Sequence, residues 1–128
     1  MVLAFGPGDS GSLSTFVQSM NAGGGWMNDK LRDESVDLLF DAVLSLKNRQ
    51  DCYSFFEDIC TVSELKSLAM RLHVAILLQQ GMKYSDICEQ TGASTATISR
   101  VNRSLFYGAD GYLTVLDRLR KDGRIQSP

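Results

Sequence analysis

The stretch SDICEQTGASTATISRVNRSL, Ser85–Leu105, sets one glycine between two short runs of helical period, the second crowded with small hydroxyl side chains. Tyr84–Gln90 reads as a short helix and Thr91–Ala93 as a tight connection in which Gly92 is free to take a positive φ. Ser94 or Thr95 then caps a second helix ending near Leu105. This is helix-turn-helix spacing. Ile87 and Cys88 face inward from the first helix, and Ile98, Val101 and Leu105 recur at i, i+3 and i+7 on the second. At about 100° per residue, the opposite face of the second helix carries Ala96, Ser99, Arg100 and Arg103, flanked by Thr95 and Thr97. Such a small, polar, basic face fits a DNA major groove about 12 Å wide, with hydroxyls and methyls against base edges and guanidinium groups against phosphate or guanine. Ser85 and Ser94 complete the expected DNA-contacting set. No Asp or Glu occurs from Ala93 through Tyr107, whereas a merely solvated helix face usually mixes both signs.

Working outward, the rest of the chain from Met27 is helical by period, with no alternating strand signal. Ser35–Leu46 places Val36, Leu39, Phe40, Val43 and Leu44 on one face, and Gln50–Cys60 does the same with Cys52, Phe55, Phe56 and Ile59. In TVSE, the Thr61 hydroxyl can accept from the backbone N–H of Glu64 while the Glu64 carboxylate reaches back, a capping box that starts a third helix running to Gln80. That helix is apolar around most of its circumference, from Val62 and Leu65 through Leu68, Ala69, Leu72 and Val74 to Ile76, Leu77 and Leu78. It must therefore be covered on nearly all sides. A small subunit has little to cover it with, so an all-α homodimer with a shared core is expected. Tyr112–Leu119 reads as a last amphipathic helix, and 121–128 as a flexible end.

Ahead of this domain, Met1–Trp26 carries a single charge, Asp9, and six of the eleven glycines. It cannot bury enough apolar surface to offset its ordering entropy and reads as a disordered tail, with Met27 as a natural start. The 128-residue chain has a formal net charge of −2, which by itself argues against a nucleic-acid partner. The average hides an asymmetry. Met27–Cys60 holds eight Asp or Glu against four Lys or Arg, but Thr61–Gly108 holds five basic residues against three acidic ones. The basic footprint is weak and local. No apolar run approaches the roughly 20 residues that span a bilayer, and the N-terminal segment lacks a signal-peptide pattern, so the chain reads as cytoplasmic. Cys52, Cys60 and Cys88 are odd in number and widely spaced, which suits reduced thiols.

CTVSELKSLAMRLHVAILLQQG followed by TGASTATISRVNRSL resembles the tryptophan repressor family. The likeness is stronger to its YerC/YecD branch of Trp-repressor-related proteins, marked by FFEDICTVSEL, and covers roughly Leu38–Leu119. It implies an intertwined all-helical dimer with paired helix-turn-helix units and a role in transcriptional regulation. It also implies a pocket for tryptophan or another small aromatic corepressor, at positions occupied here by Thr61, Arg71, Arg100 and Ser104. Two arginines around an aromatic ring attract it through stacking and cation–π forces. Each residue also has a plainer role: Thr61 as a helix cap, Arg71 as an interface charge, Arg100 as a DNA contact, Ser104 as a helix-end hydroxyl. After the second arginine the family has glycine, and this chain has Val101, whose branched side chain takes up space at or beside that pocket. Ser85 and Cys88 stand where the family carries basic side chains, which weakens contacts from the first helix of the motif.

Catalysis has little support. His73, the single histidine, lies mid-helix with no acidic neighbour to orient it, and Cys60 with His73 lacks metal-ligand spacing. Gly23–Trp26 has neither the lysine nor the following helix of a phosphate loop. The rival class is a protein-interaction module of the transcription machinery, binding through the acidic first helices with the helix-turn-helix kept as scaffold.

Overall fold

The computed structural model describes residues 32–128. The tail assigned to Met1–Trp26 and the boundary at Met27 lie outside the described residues. Among the described residues six helices follow in order: α1 Glu34–Leu44, α2 Arg49–Ile59, α3 Val62–Gln79, α4 Tyr84–Thr91, α5 Thr95–Tyr107 and α6 Gly111–Lys121. No strand occurs among the described residues. The chain divides into two units, Met1–Phe55 and Phe56–Pro128.

In the first unit, Asp33 caps α1 by accepting the Val36 N–H at 2.8 Å and the Ser35 hydroxyl at 2.6 Å. These two bonds, the Ser35 hydroxyl first, hold the Asp33 carboxyl below the usual carboxylate range. A depressed folded value means that the cap's contribution is intact above the unfolded pKa and is lost as pH falls through the folded one. Protection of the Val36 amide, measured against its intrinsic exchange rate at each pH, should therefore fall only below about pH 4. Asp33→Asn, which can still cap but does not titrate there, should abolish that dependence. α1 ends at Leu44, two residues before the end expected from period alone, with Ser45 as its C-cap, and buries none of its residues in this chain. Its apolar stripe is partly covered: Val36, Leu39 and Val43 are half-buried, while Phe40 is exposed and Leu44 is 82% exposed.

In the second unit, the capping box at Thr61 forms as expected: Thr61 Oγ1 accepts from the Glu64 N–H at 3.1 Å, and Glu64 Oε2 accepts from the Thr61 N–H at 2.8 Å. α3 is the hub, packing against α4, α5 and α6. Its C-terminal half supplies buried Val74, Ala75, Leu77 and Leu78, while Val62 in its first turn is 71% exposed and Leu68 is also exposed. The helix closes with two bonds, Gly81 N–H to the Leu78 carbonyl and Met82 N–H to the Leu77 carbonyl, that satisfy its final carbonyls and turn the chain toward α4. Ile87, Ala93, Ile98, Val101, Leu105 and Leu116 complete the core, with no polar or charged residue buried among the described ones. The Arg120 guanidinium donates to Gln79 Oε1, tying the end of α6 to the end of α3. Beyond α6, Ile125 packs back against the core.

Candidate nucleic-acid interface

The turn between α4 and α5 is set by three neighbouring residues. Gly92 caps α4 in the left-handed region, φ 74° and ψ 3°, and its N–H donates to the Cys88 carbonyl at 2.9 Å. A Cβ there would touch nothing within 4 Å, so the demand for glycine comes from backbone conformation and not from crowding. Thr91 was not singled out from the sequence. Its hydroxyl donates to the Ile87 carbonyl at 2.7 Å and accepts from the Ala93 N–H at 3.1 Å, clamping the turn from the α4 side. Ser94 then caps α5, accepting from the Thr97 N–H at 3.1 Å, and its hydroxyl lies 3.1 Å from Thr97 Oγ1.

Thr91→Val keeps the side-chain shape and leaves the Ala93 N–H without its partner. The expected loss is about 1 kcal/mol of unfolding free energy, read from the urea midpoint. Thr91→Ser, which retains the hydroxyl, should recover most of it.

Ile98, Val101 and Leu105 hold one side of α5 against the core at no more than 3% exposure. The opposite side is open. Ser94, Thr95, Ala96, Ser99, Arg100 and Arg103 are all exposed, and Thr97 is half-buried. Neither Arg100 nor Arg103 forms an ion pair among the described residues, so both guanidinium groups have donors to spare. With no acidic side chain in its first turn, the positive end of the α5 dipole is unopposed from within the helix. Ser85 is exposed on α4 as well, beside exposed Asp86 and Glu89. Cys88 is half-buried against the core.

The four corepressor positions are placed differently. Thr61 is exposed and committed to the α3 capping box, Arg71 is exposed on α3, and Arg100 is exposed on the open side of α5. Ser104 alone opens onto a cleft of about 510 Å³, bordered by Leu72 of α3 and by Gly108, Ala109, Tyr112 and Val115 at the α5–α6 corner. Thr61, Arg71 and Arg100 do not line that cleft. Val101 is turned into the core. Among the described residues there is no cluster of side chains that could hold a metal ion, and no helix long and apolar enough to cross a membrane.

Comparison with known proteins agrees with this architecture. The family described as Trp repressor protein matches residues 34–120, from the start of α1 to the last turn of α6. The chain is 54% identical over 93 residues to the uncharacterized protein YerC of Bacillus subtilis (strain 168), covering 73% of this chain and 89% of YerC. It superimposes with a TM-score of 0.72 on the crystal structure of a candidate Trp repressor from Staphylococcus aureus, at 50% identity, covering 80% of this chain and 99% of that one. A TrpR-like protein from Eubacterium eligens ATCC 27750 gives the same TM-score at 53% identity, covering 78% of this chain and all of its own. A likeness this high over this much of the sequence settles the ancestry of the fold: the chain belongs to the Trp repressor family, a regulatory and non-enzymatic family of DNA-binding type, and within it to the YerC-like branch.

Proposed function

We propose that this protein is a sequence-specific transcriptional regulator of the repressor type, which binds double-stranded DNA as a homodimer through α5. The observation that carries this is the open side of α5: exposed Thr95, Ala96, Ser99, Arg100 and Arg103 on a helix without a carboxylate, held rigid by a buried opposite side. Bulky residues would keep the helix out of the groove, and acidic ones would repel the phosphates that line it. The dimer is supported by the apolar residues a single chain leaves uncovered, among them Phe40 and Leu44 on α1 and Val62 and Leu68 on α3. Residues 27–120 form the working domain in this proposal, with 1–26 and 121–128 as appendages.

DNA binding through α5 requires no corepressor in this scheme, since the turn is closed by Thr91, Gly92 and Ser94 and the helix is seated by its own core residues. The test is a titration of labelled duplex DNA at several salt concentrations, with and without L-tryptophan. Affinity should fall steeply as salt rises, because phosphate neutralisation releases counterions, and tryptophan should change it little. A salt-independent signal would instead favour an interaction module that does not use DNA. Strong tightening by tryptophan would place Thr61, Arg71, Arg100 and Ser104 together in a dimer-completed ligand pocket.

A further inference from the structure

We propose that Tyr107 extends the DNA-facing surface of α5 by one turn, its phenol donating a hydrogen bond to a backbone phosphate at the rim of the groove. Tyr107 takes this role only if α5 enters DNA as proposed above.

Helix α5 runs two residues past the end expected from the sequence and closes on Gly108, whose N–H donates to the Ser104 carbonyl at 3.1 Å. A Cβ at residue 108 would stand 2.2 Å from that carbonyl oxygen, so glycine here lets the chain leave the helix directly after Tyr107. The helix therefore ends with Tyr107 as its final residue. Tyr107 follows Arg103 at i+4 and Arg100 at i+7, which at about 100° per residue puts it within roughly 20° of Ala96, at the middle of the open side. It is 86% exposed, more than any other large hydrophobic side chain among the described residues. Its phenol makes no hydrogen bond among them, and it does not line the Ser104 cleft. An aromatic ring so displayed gains nothing from the core of its own chain.

Position along the helix decides what Tyr107 would meet. At about 1.5 Å per residue it lies roughly 16 Å beyond Ala96, farther than the groove is wide, so a helix whose first turns address the bases carries Tyr107 out to the sugar-phosphate backbone. Tyrosine hydroxyls are regular phosphate donors, and bonds of this kind fix the register of the protein without reading sequence. The phenol is neutral, so its bond displaces no counterion. That separates it from Arg103, which is charged and whose removal should lower the salt slope.

The experiment compares the full chain with its Tyr107→Phe and Tyr107→Ala variants on two labelled duplexes, one selected from a random pool and one shuffled, across a salt series. Tyr107→Phe removes one oxygen from a fully displayed side chain and leaves folding intact. It should weaken binding to both duplexes by the same factor, roughly tenfold for one hydrogen bond removed per protomer, with the salt slope unchanged. Tyr107→Ala should lose at least as much. Wild-type affinity in the Phe variant would overturn the assignment. So would a loss confined to the selected duplex, or dissociation of the dimer on sedimentation, which would place the ring between two copies of the chain. If the wild-type chain bound neither duplex, α5 would not be a DNA surface and Tyr107 would fall with it. A salt-sensitive wild type matched by its Phe variant would remove Tyr107 alone.

Discussion

Arg103→Glu should weaken binding to duplex DNA by roughly 10²- to 10⁴-fold, from the loss of about 1.5–3 kcal/mol per charge-assisted hydrogen bond in each of two protomers. Arg103 is exposed at the middle of the open side of α5, and no carboxylate among the described residues pairs with it. Reversal therefore costs the fold nothing and costs the complex twice, once for the missing donor and once for a new repulsion with phosphate. The thermal midpoint of the free protein should stay within about a degree or two, since surface changes away from core, cap and network rarely exceed 0.5 kcal/mol. Arg103→Gln is the milder companion. It keeps donors but not charge, and should reduce the slope of log affinity against log salt by about one for each phosphate no longer neutralised. An unchanged affinity in the Glu variant would assign the arginine to solvent and the function to another surface.

The second large effect is on stability. Ile98→Ala should cost about 2–5 kcal/mol of unfolding free energy. Ile98 is 0% exposed and belongs to the same buried cluster as Val74, Ile87, Val101 and Leu105, on a helix that packs against α3. Small domains hold only about 5–15 kcal/mol in reserve, so this one truncation would remove a large share of it. Ile98→Val should cost about 0.5–1.5 kcal/mol. The ordering of the two variants, read from urea midpoints with constant m, separates a packing defect from a change in the denatured state. DNA affinity should fall in Ile98→Ala only as far as the folded fraction falls.

Much of this architecture was legible because it is local. The capping box needs only Thr61 and Glu64 at i and i+3, the turn needs Gly92 after a short run, and the core stripe of α5 follows from the spacing of Ile98, Val101 and Leu105. What escaped depended on geometry that spacing does not carry. Thr91 looked like part of a connection, yet it ends α4 and holds the turn through a bond back to Ile87. A threonine directly before the turn glycine was the available signal, since its hydroxyl can reach the carbonyl four residues earlier. Tyr107 lies outside the span that period marks, because the last apolar core position is Leu105 whereas the helix continues to the glycine that caps it. Period places Val62 and Leu68 on an apolar helix without fixing what covers them, and both are exposed in a single copy. The corepressor set also depends on geometry that spacing does not carry: four residue types match the family pattern, and in a single copy Ser104 borders a cleft while Thr61, Arg71 and Arg100 are exposed elsewhere on the chain.

The central claim is that two copies of α5 read one duplex, and selection of sites by the full chain from a random DNA pool addresses it most directly. Enrichment of an inverted repeat with half-site centres about 34–36 Å apart, one helical turn, is the expected result. A pool that emerges from repeated rounds with no enriched sequence, or with a single half-site and no symmetric mate, would contradict it.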